Sequence, residues 1–227
     1  MRIFDLEPAT THITDLRESH QEDHELQRVA TILTRYLRKN QNTKNPAPQA
    51  LNALVPTNTL PDYINNLLII LRPMSSTKTA AHLPRGINKD YPQPAIAYNQ
   101  TLIKDKDDAS IAQTLAHELR HALDTHKIRQ KSPKLTSKPG GYYHSRETSK
   151  LLSPSEINAR IVEIQYRVSR EIQDILADDP DSTLQDYEDE IKAHIRELFS
   201  NMSIPATNRN LSRVWKYIAY SVEQTSI

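Results

Sequence analysis

His117 and His121 stand four residues apart in the segment HELRH, with Glu118 directly after the first histidine. On a helix, residues four apart lie nearly above one another, so both imidazoles point the same way, a few ångströms apart. Rings placed like this suit two corners of a zinc tetrahedron, with bonds of about 2.0–2.1 Å. Glu118 falls about 100° further round the helix, beside such a metal and not well aimed to ligate it. A carboxylate there can hold a metal-bound water and take its proton, because zinc lowers the pKa of that water towards neutrality. The plainer alternative is a solvated helix with two histidines by chance.

The flanking elements favour the stronger reading. Ile111, Leu115, Leu119 and Leu123 recur every four residues, so the histidine helix has an apolar stripe to bury, and Asp107 or Asp108 can cap its start. Before it, AIAYNQTLI (95–103) sets Ile96 and Tyr98 against Ala97 and Asn99, the clearest strand pattern in the chain. After it, residues 127–152 read as a long loop with two of the three glycines. The strongest helix follows. Ser153 caps it, Pro154 takes its first turn, and Ile157, Ile161, Ile164, Val168, Ile172 and Ile175 form its stripe.

Elsewhere the periodicity predicts a helix with Leu26, Val29, Leu33, Tyr36 and Leu37 on one face, and a second over TLPDYINNLLIILR with Pro61 in its first turn. Residues 73–94 read as an irregular connection. Two C-terminal helices are lined by Leu184, Tyr187, Ile191, Ile195 and Leu198, and by Leu211, Val214, Trp215, Ile218 and Val222.

With 3 glycines and 14 prolines in 227 residues, the composition favours helices punctuated by prolines over a sheet rich in tight turns. The expected class is α+β, mainly α-helical, in one domain over 1–227. It comprises an N-terminal helical part (1–75), a metal-site core (95–165) and C-terminal helices (180–227). A net charge of +1 gives no field pointing to nucleic acid or membranes. The absence of cysteine removes disulfides, thiolate metal sites and a cysteine nucleophile, and fits a reducing compartment. The first residues carry acids where a signal peptide needs an apolar core, and the longest aliphatic run, Leu67–Leu71, is far short of a membrane span.

HELRH, preceded by a strand and set in a helix with a face to bury, resembles the zincin metallopeptidases. The resemblance implies a minimal zincin core with a small sheet and a zinc peptidase, with His117 and His121 as Zn²⁺ ligands and Glu118 as general base. The branch with a third histidine six residues after the second, behind a glycine, does not match, since those positions hold Lys127 and Asp124. The branch that takes a glutamate from a later helix is similar. The chain also resembles small phage-encoded metallopeptidases, which implies a cytoplasmic or virion-associated protein. Arg120 departs from the pattern, standing where many members carry an uncharged residue.

In the glutamate branch the third ligand comes from a downstream helix, which here nominates Glu156, 35 residues after His121. A rival reading makes SPSE a capping box, with Glu156 bonding back to Ser153. Glu163, two turns on, is the second candidate, although Arg160 and Arg167 at i+4 suit simple intrahelical ion pairs. His144 and Glu147 fall in the loop, and His126 would need its helix to unwind. Asp124 lies roughly 10.5 Å along the axis from His117, too far to share a metal with both histidines. It is expected either to orient His121 or to be an ordinary helix-end acid.

Within the loop, KPGGYYHSRE offers Tyr142, Tyr143, His144 and Arg146 as donors to an oxyanion, Tyr143 and His144 being the catalytic candidates; the tyrosines can equally pack the loop. AIAYNQ resembles the zincin edge strand that pairs with extended substrates, which favours a protein or peptide substrate. KIRQKSPKLTSK carries five positive charges. It can attract nucleic acid, but no nucleic-acid motif accompanies it and a solvated loop is the plainer reading. The alternative class is a non-catalytic structural or interaction protein, such as a viral particle component. There, a fourth ligand such as His144 or Glu163 would close the zinc site.

Overall fold

The computed structural model describes residues 10–44, 46–55, 62–74, 79–84, 92–131 and 153–225. Among these, the chain is mainly helical with one small mixed sheet. In order it forms α1 (Thr10–Asn40), β1 (Gln49–Ala50), α2 (Leu51–Leu54), α3 (Asp62–Asn65), β2 (Leu68–Arg72), β3 (Ala80–Leu83) and β4 (Ala95–Asn99). A 3₁₀ turn (Gln100–Leu102) leads to α4 (Asp108–Lys131), and α5 (Pro154–Asp178), α6 (Glu188–Asn201) and α7 (Asn208–Thr225) complete it. This is the mainly helical α+β class expected from the glycine-poor composition.

The sheet runs β1–β2–β4–β3, with β2 parallel to β4 and both outer pairs antiparallel. It revises three expectations. LLIIL is not the end of a helix: α3 stops at Asn65 and Leu68–Arg72 becomes an inner strand. A continuous apolar run fits a strand buried on both faces as well as a helix, and here two neighbouring strands satisfy its backbone. The stretch 73–94 contains a strand, β3, within what reads as irregular chain. AIAYN lies inside the sheet, buried along its length, and β3 is the edge beside it.

The main core joins α1, α4 and the sheet. Leu26, Leu33 and Leu37 of α1 meet Ile69, Ile96, Ile111, Leu115 and Leu119, all essentially inaccessible. Val162 of α5 enters this cluster, while Ile161 and Ile164 of the same helix join a second one with Ile195, Phe199, Val214 and Ile218 of α6 and α7. Because α5 packs on both sides, its rotation is tightly constrained, and with it the direction of its polar residues. The predicted stripe fails only at its end, where Ile175 is 42% exposed and its neighbour Leu176 packs against the second cluster instead. α4 continues to Lys131, so residues 127–131, expected in a loop, are helical. Leu184 and Tyr187 pack against the second cluster from the turns ahead of α6.

Candidate metal centre

α4 begins where Asp107 Oδ1 accepts from Ser110 N at 2.6 Å, the N-cap that identifies Asp107 rather than Asp108 as the helix start. Its inward stripe of Ile111, Leu115, Leu119 and Leu123 is fully buried and turns His117 and His121 towards α5 and β3. Their ring centroids are 4.6 Å apart and nearly perpendicular, with the two Nε2 atoms 3.0 Å from one another.

α5 supplies the third group. Ser153 Oγ accepts from Glu156 N at 3.2 Å, so half of the capping box forms, but the Glu156 carboxylate does not complete it. It turns to the histidines instead. Oε2 lies 3.3 Å from His121 Nε2 and 3.8 Å from His117 Nε2, and Oε1 accepts from Arg160 Nε at 2.7 Å. The bond to His121 chiefly holds the carboxyl down, to about 2, against the opposing effect of burial and with help from Arg160. His117, His121 and Glu156 form a group that can hold a metal ion, their ligand atoms all within 4.8 Å of one another. No further His, Asp or Glu joins that group among the described residues.

The outer ring nitrogens are held by α5 as well. Ser155 Oγ lies 3.0 Å from His121 Nδ1. Glu163 Oε2 lies 3.5 Å from His117 Nδ1, long for a hydrogen bond but within ion-pair range. Burial lowers His117, yet Glu163 first, then Glu118 and Glu156, outweigh it and leave the ring raised. The second candidate ligand thus stands behind the histidine, on the nitrogen that faces away from Glu156.

Glu118 points to the sheet. Its Oε2 accepts from His82 N of β3 at 2.7 Å. Thr79 O accepts from Asn99 N, so Thr79, Ala81 and Leu83 bond inward to β4 while the main-chain groups of Ala80 and His82 point off the edge. Burial pushes the Glu118 carboxyl up, against the lowering influence of His117, His121 and the His82 amide. The carboxylate, the histidines, Thr114 and Thr79–His82 line one open cleft with Glu156 and Glu163.

Asp124 does not serve as the His121 orienter. That nitrogen meets Ser155, and Asp124 instead binds Arg120 at 2.9 Å and accepts from Asn158 Nδ2 at 3.1 Å. Nor is it an ordinary helix-end acid, being buried within α4. His126 likewise sits inside a helix that runs on to Lys131. Tyr142, Tyr143, His144, Arg146 and Glu147 lie outside the described residues, as does the lysine-rich run beyond Lys131; Lys127 at its start pairs with Glu22 at 2.6 Å. Sequence reasoning missed β3, whose AAHL is short and poor in β-branched residues, and Ser155, for which adjacency to Glu156 was the available signal.

No protein-family model, curated protein or solved structure significantly matches this chain.

Proposed function

We propose that the protein is a zinc-dependent metallopeptidase of the zincin kind, with His117, His121 and Glu156 as metal ligands and Glu118 as general base. The observation that carries this reading is the convergence of HELRH with a carboxylate from a separate helix. A tetrahedral zinc with bonds of about 2.0–2.1 Å keeps its ligand atoms about 3.3–3.4 Å apart. The separations of 3.0, 3.3 and 3.8 Å among the two Nε2 atoms and Glu156 Oε2 bracket that figure. Two imidazoles and one carboxylate also suit zinc chemically. Bound there, zinc supplies Lewis acidity, polarising a carbonyl and acidifying water.

The chain's own residues do the rest. Glu163 and Ser155 hold the Nδ1 sides of the histidines, which keeps each Nε2 lone pair facing the ligand position. Arg160 occupies Oε1 of Glu156 and leaves Oε2 towards the rings. Glu118, made more basic by burial, accepts a proton from the attacking water and returns it to the leaving amine. The His82 amide fixes one of its oxygens and thereby its rotamer. The outward main chain at Ala80 offers an extended peptide an edge to pair with, which supports a protein or peptide substrate.

The competing reading, a zinc-stabilised structural protein, needs a closed coordination shell. Of the two candidates for closing it, Glu163 faces the far nitrogen of His117, away from the other two ligand atoms, which argues against it as a fourth ligand, and His144 lies outside the described residues. Elemental analysis of protein dialysed without chelator tests the proposal, together with hydrolysis of a denatured protein substrate. About one zinc per chain and chelator-sensitive cleavage are expected. No zinc after reconstitution defeats the metal reading, and one zinc without hydrolysis favours the structural one.

A further inference from the structure

One turn along α4 from His121, five polar side chains close into a ring. Asp23 of α1 accepts from Arg120 at 3.0 Å, and Arg120 meets Asp124 at 2.9 Å. Asn158 Nδ2 donates to Asp124 at 3.1 Å, and Asn158 Oδ1 accepts from Arg213 of α7 at 2.9 Å. Arg213 returns to Asp23 through three contacts of 2.7–3.1 Å. Asp23 is fully inaccessible, and Arg120, Asp124 and Arg213 are each below one-tenth exposed. Two carboxylates and two guanidinium groups leave the ring neutral.

Such a ring is a poor source of net stability, since desolvation offsets most of its attraction. Its directional bonds, however, admit one alignment of the helices, where apolar ridges alone would tolerate small slips. The placement matters. Asp124 lies one turn beyond His121 on α4, and Asn158 lies two residues beyond Glu156 on α5. The Asp124–Asn158 bond therefore ties the two ligand-bearing helices beside the point where Glu156 meets His121. Metal sites tolerate errors of only about 0.2 Å in ligand distance.

We propose that Asn158 is a positioning residue for the metal centre, setting the register of α5 on α4 through this ring and so the zinc affinity. The inference rests on the metal reading above and adds a residue that does not touch the metal. It also accounts for Arg120 inside HELRH, where a charge is out of pattern.

The test is a zinc dissociation constant, measured by competition with a chromogenic chelator, on folded wild type, N158D and the exchanged pair D124N/N158D. N158D sets a second acid against Asp124 and removes the donor, so its dissociation constant should rise about 10–100-fold. The exchanged pair restores one donor, one acceptor and the ring's charge, and should recover most of that loss. N158A gives the same reading without added charge should N158D fail to fold. Wild-type affinity in a folded Asn158 variant overturns the inference alone, as does an exchanged pair no tighter than N158D. Wild type that binds no zinc overturns the metal reading and this inference together.

Discussion

The amide of His82 donates to Oε2 of Glu118 at 2.7 Å, across 36 residues of sequence. Through this bond the edge strand β3 holds the carboxylate that follows the first histidine, and one contact fixes both the sheet edge and the proposed acid–base group over the cleft. Glu118 thereby neighbours the His117, His121 and Glu156 group without belonging to it.

Glu118→Gln keeps the size of the side chain and its bond from His82 but loses the proton acceptor. Zinc content should stay at the wild-type level while kcat falls by about 10²–10⁴-fold. Cleavage at the wild-type rate by this variant would remove Glu118 from the mechanism.

The same substitution has a stability signature in chelated protein. Burial raises the Glu118 pKa above its ordinary 4.5. A raised carboxyl pKa means the folded state holds its proton more tightly, so this stabilisation is complete below about pH 4.5 and is lost as pH rises through the folded value. Metal-free E118Q should therefore gain stability over wild type towards neutral pH, with the advantage vanishing below about pH 4.5. Thermal melts in chelator across pH read it directly.

Glu156 carries the opposite sign. Its pKa is depressed from 4.5 to about 2, chiefly by the bond to His121. The stabilisation is present above about pH 4.5 and fades as pH falls towards about 2. In metal-free protein the stability gap between wild type and E156Q should close over that acid range. A gap independent of pH would show that the carboxylate charge is not what α5 brings to the histidines.

Glu156→Ala and Glu163→Gln separate a ligand from a residue behind one. Glu163→Gln weakens only the hold on His117 Nδ1 and should cost about 10–100-fold in zinc affinity. Glu156→Ala removes a donor and should cost more. The reverse order, read by chelator competition, would make Glu163 the ligand.

Asp23→Ala leaves Arg120 and Arg213 buried beside each other without their shared acceptor. Removing one partner of a buried ionic group costs about 3–5 kcal/mol. Glu171→Ala, at the half-exposed Arg167–Glu171 pair, should cost no more than about 1 kcal/mol. Urea unfolding of the two variants compares them, and equal losses would mean that Asp23 is not bearing the arginines' charge.

What this chain's sequence determines by itself is everything that repeats within one or two helical turns. The i, i+4 spacing aligns His117 with His121, the four-residue recurrence from Ile111 to Leu123 buries their helix, and Ser153 with Pro154 starts the next. These are local because helix geometry and capping depend on near neighbours. Only tertiary structure decided the rest. LLIIL has no period to distinguish strand from helix, and it became a strand because β1 and β4 flank it. Glu156 and Glu163 lie two turns apart on one face, the first nominated as ligand and the second held in reserve, and packing of α5 on two cores sends Glu156 to the Nε2 atoms and Glu163 to Nδ1. Asp23 meets Arg120 across 97 residues and Arg213 across 190. No pattern along the chain marks such a partnership, because buried charges choose partners by where the fold brings them and not by spacing.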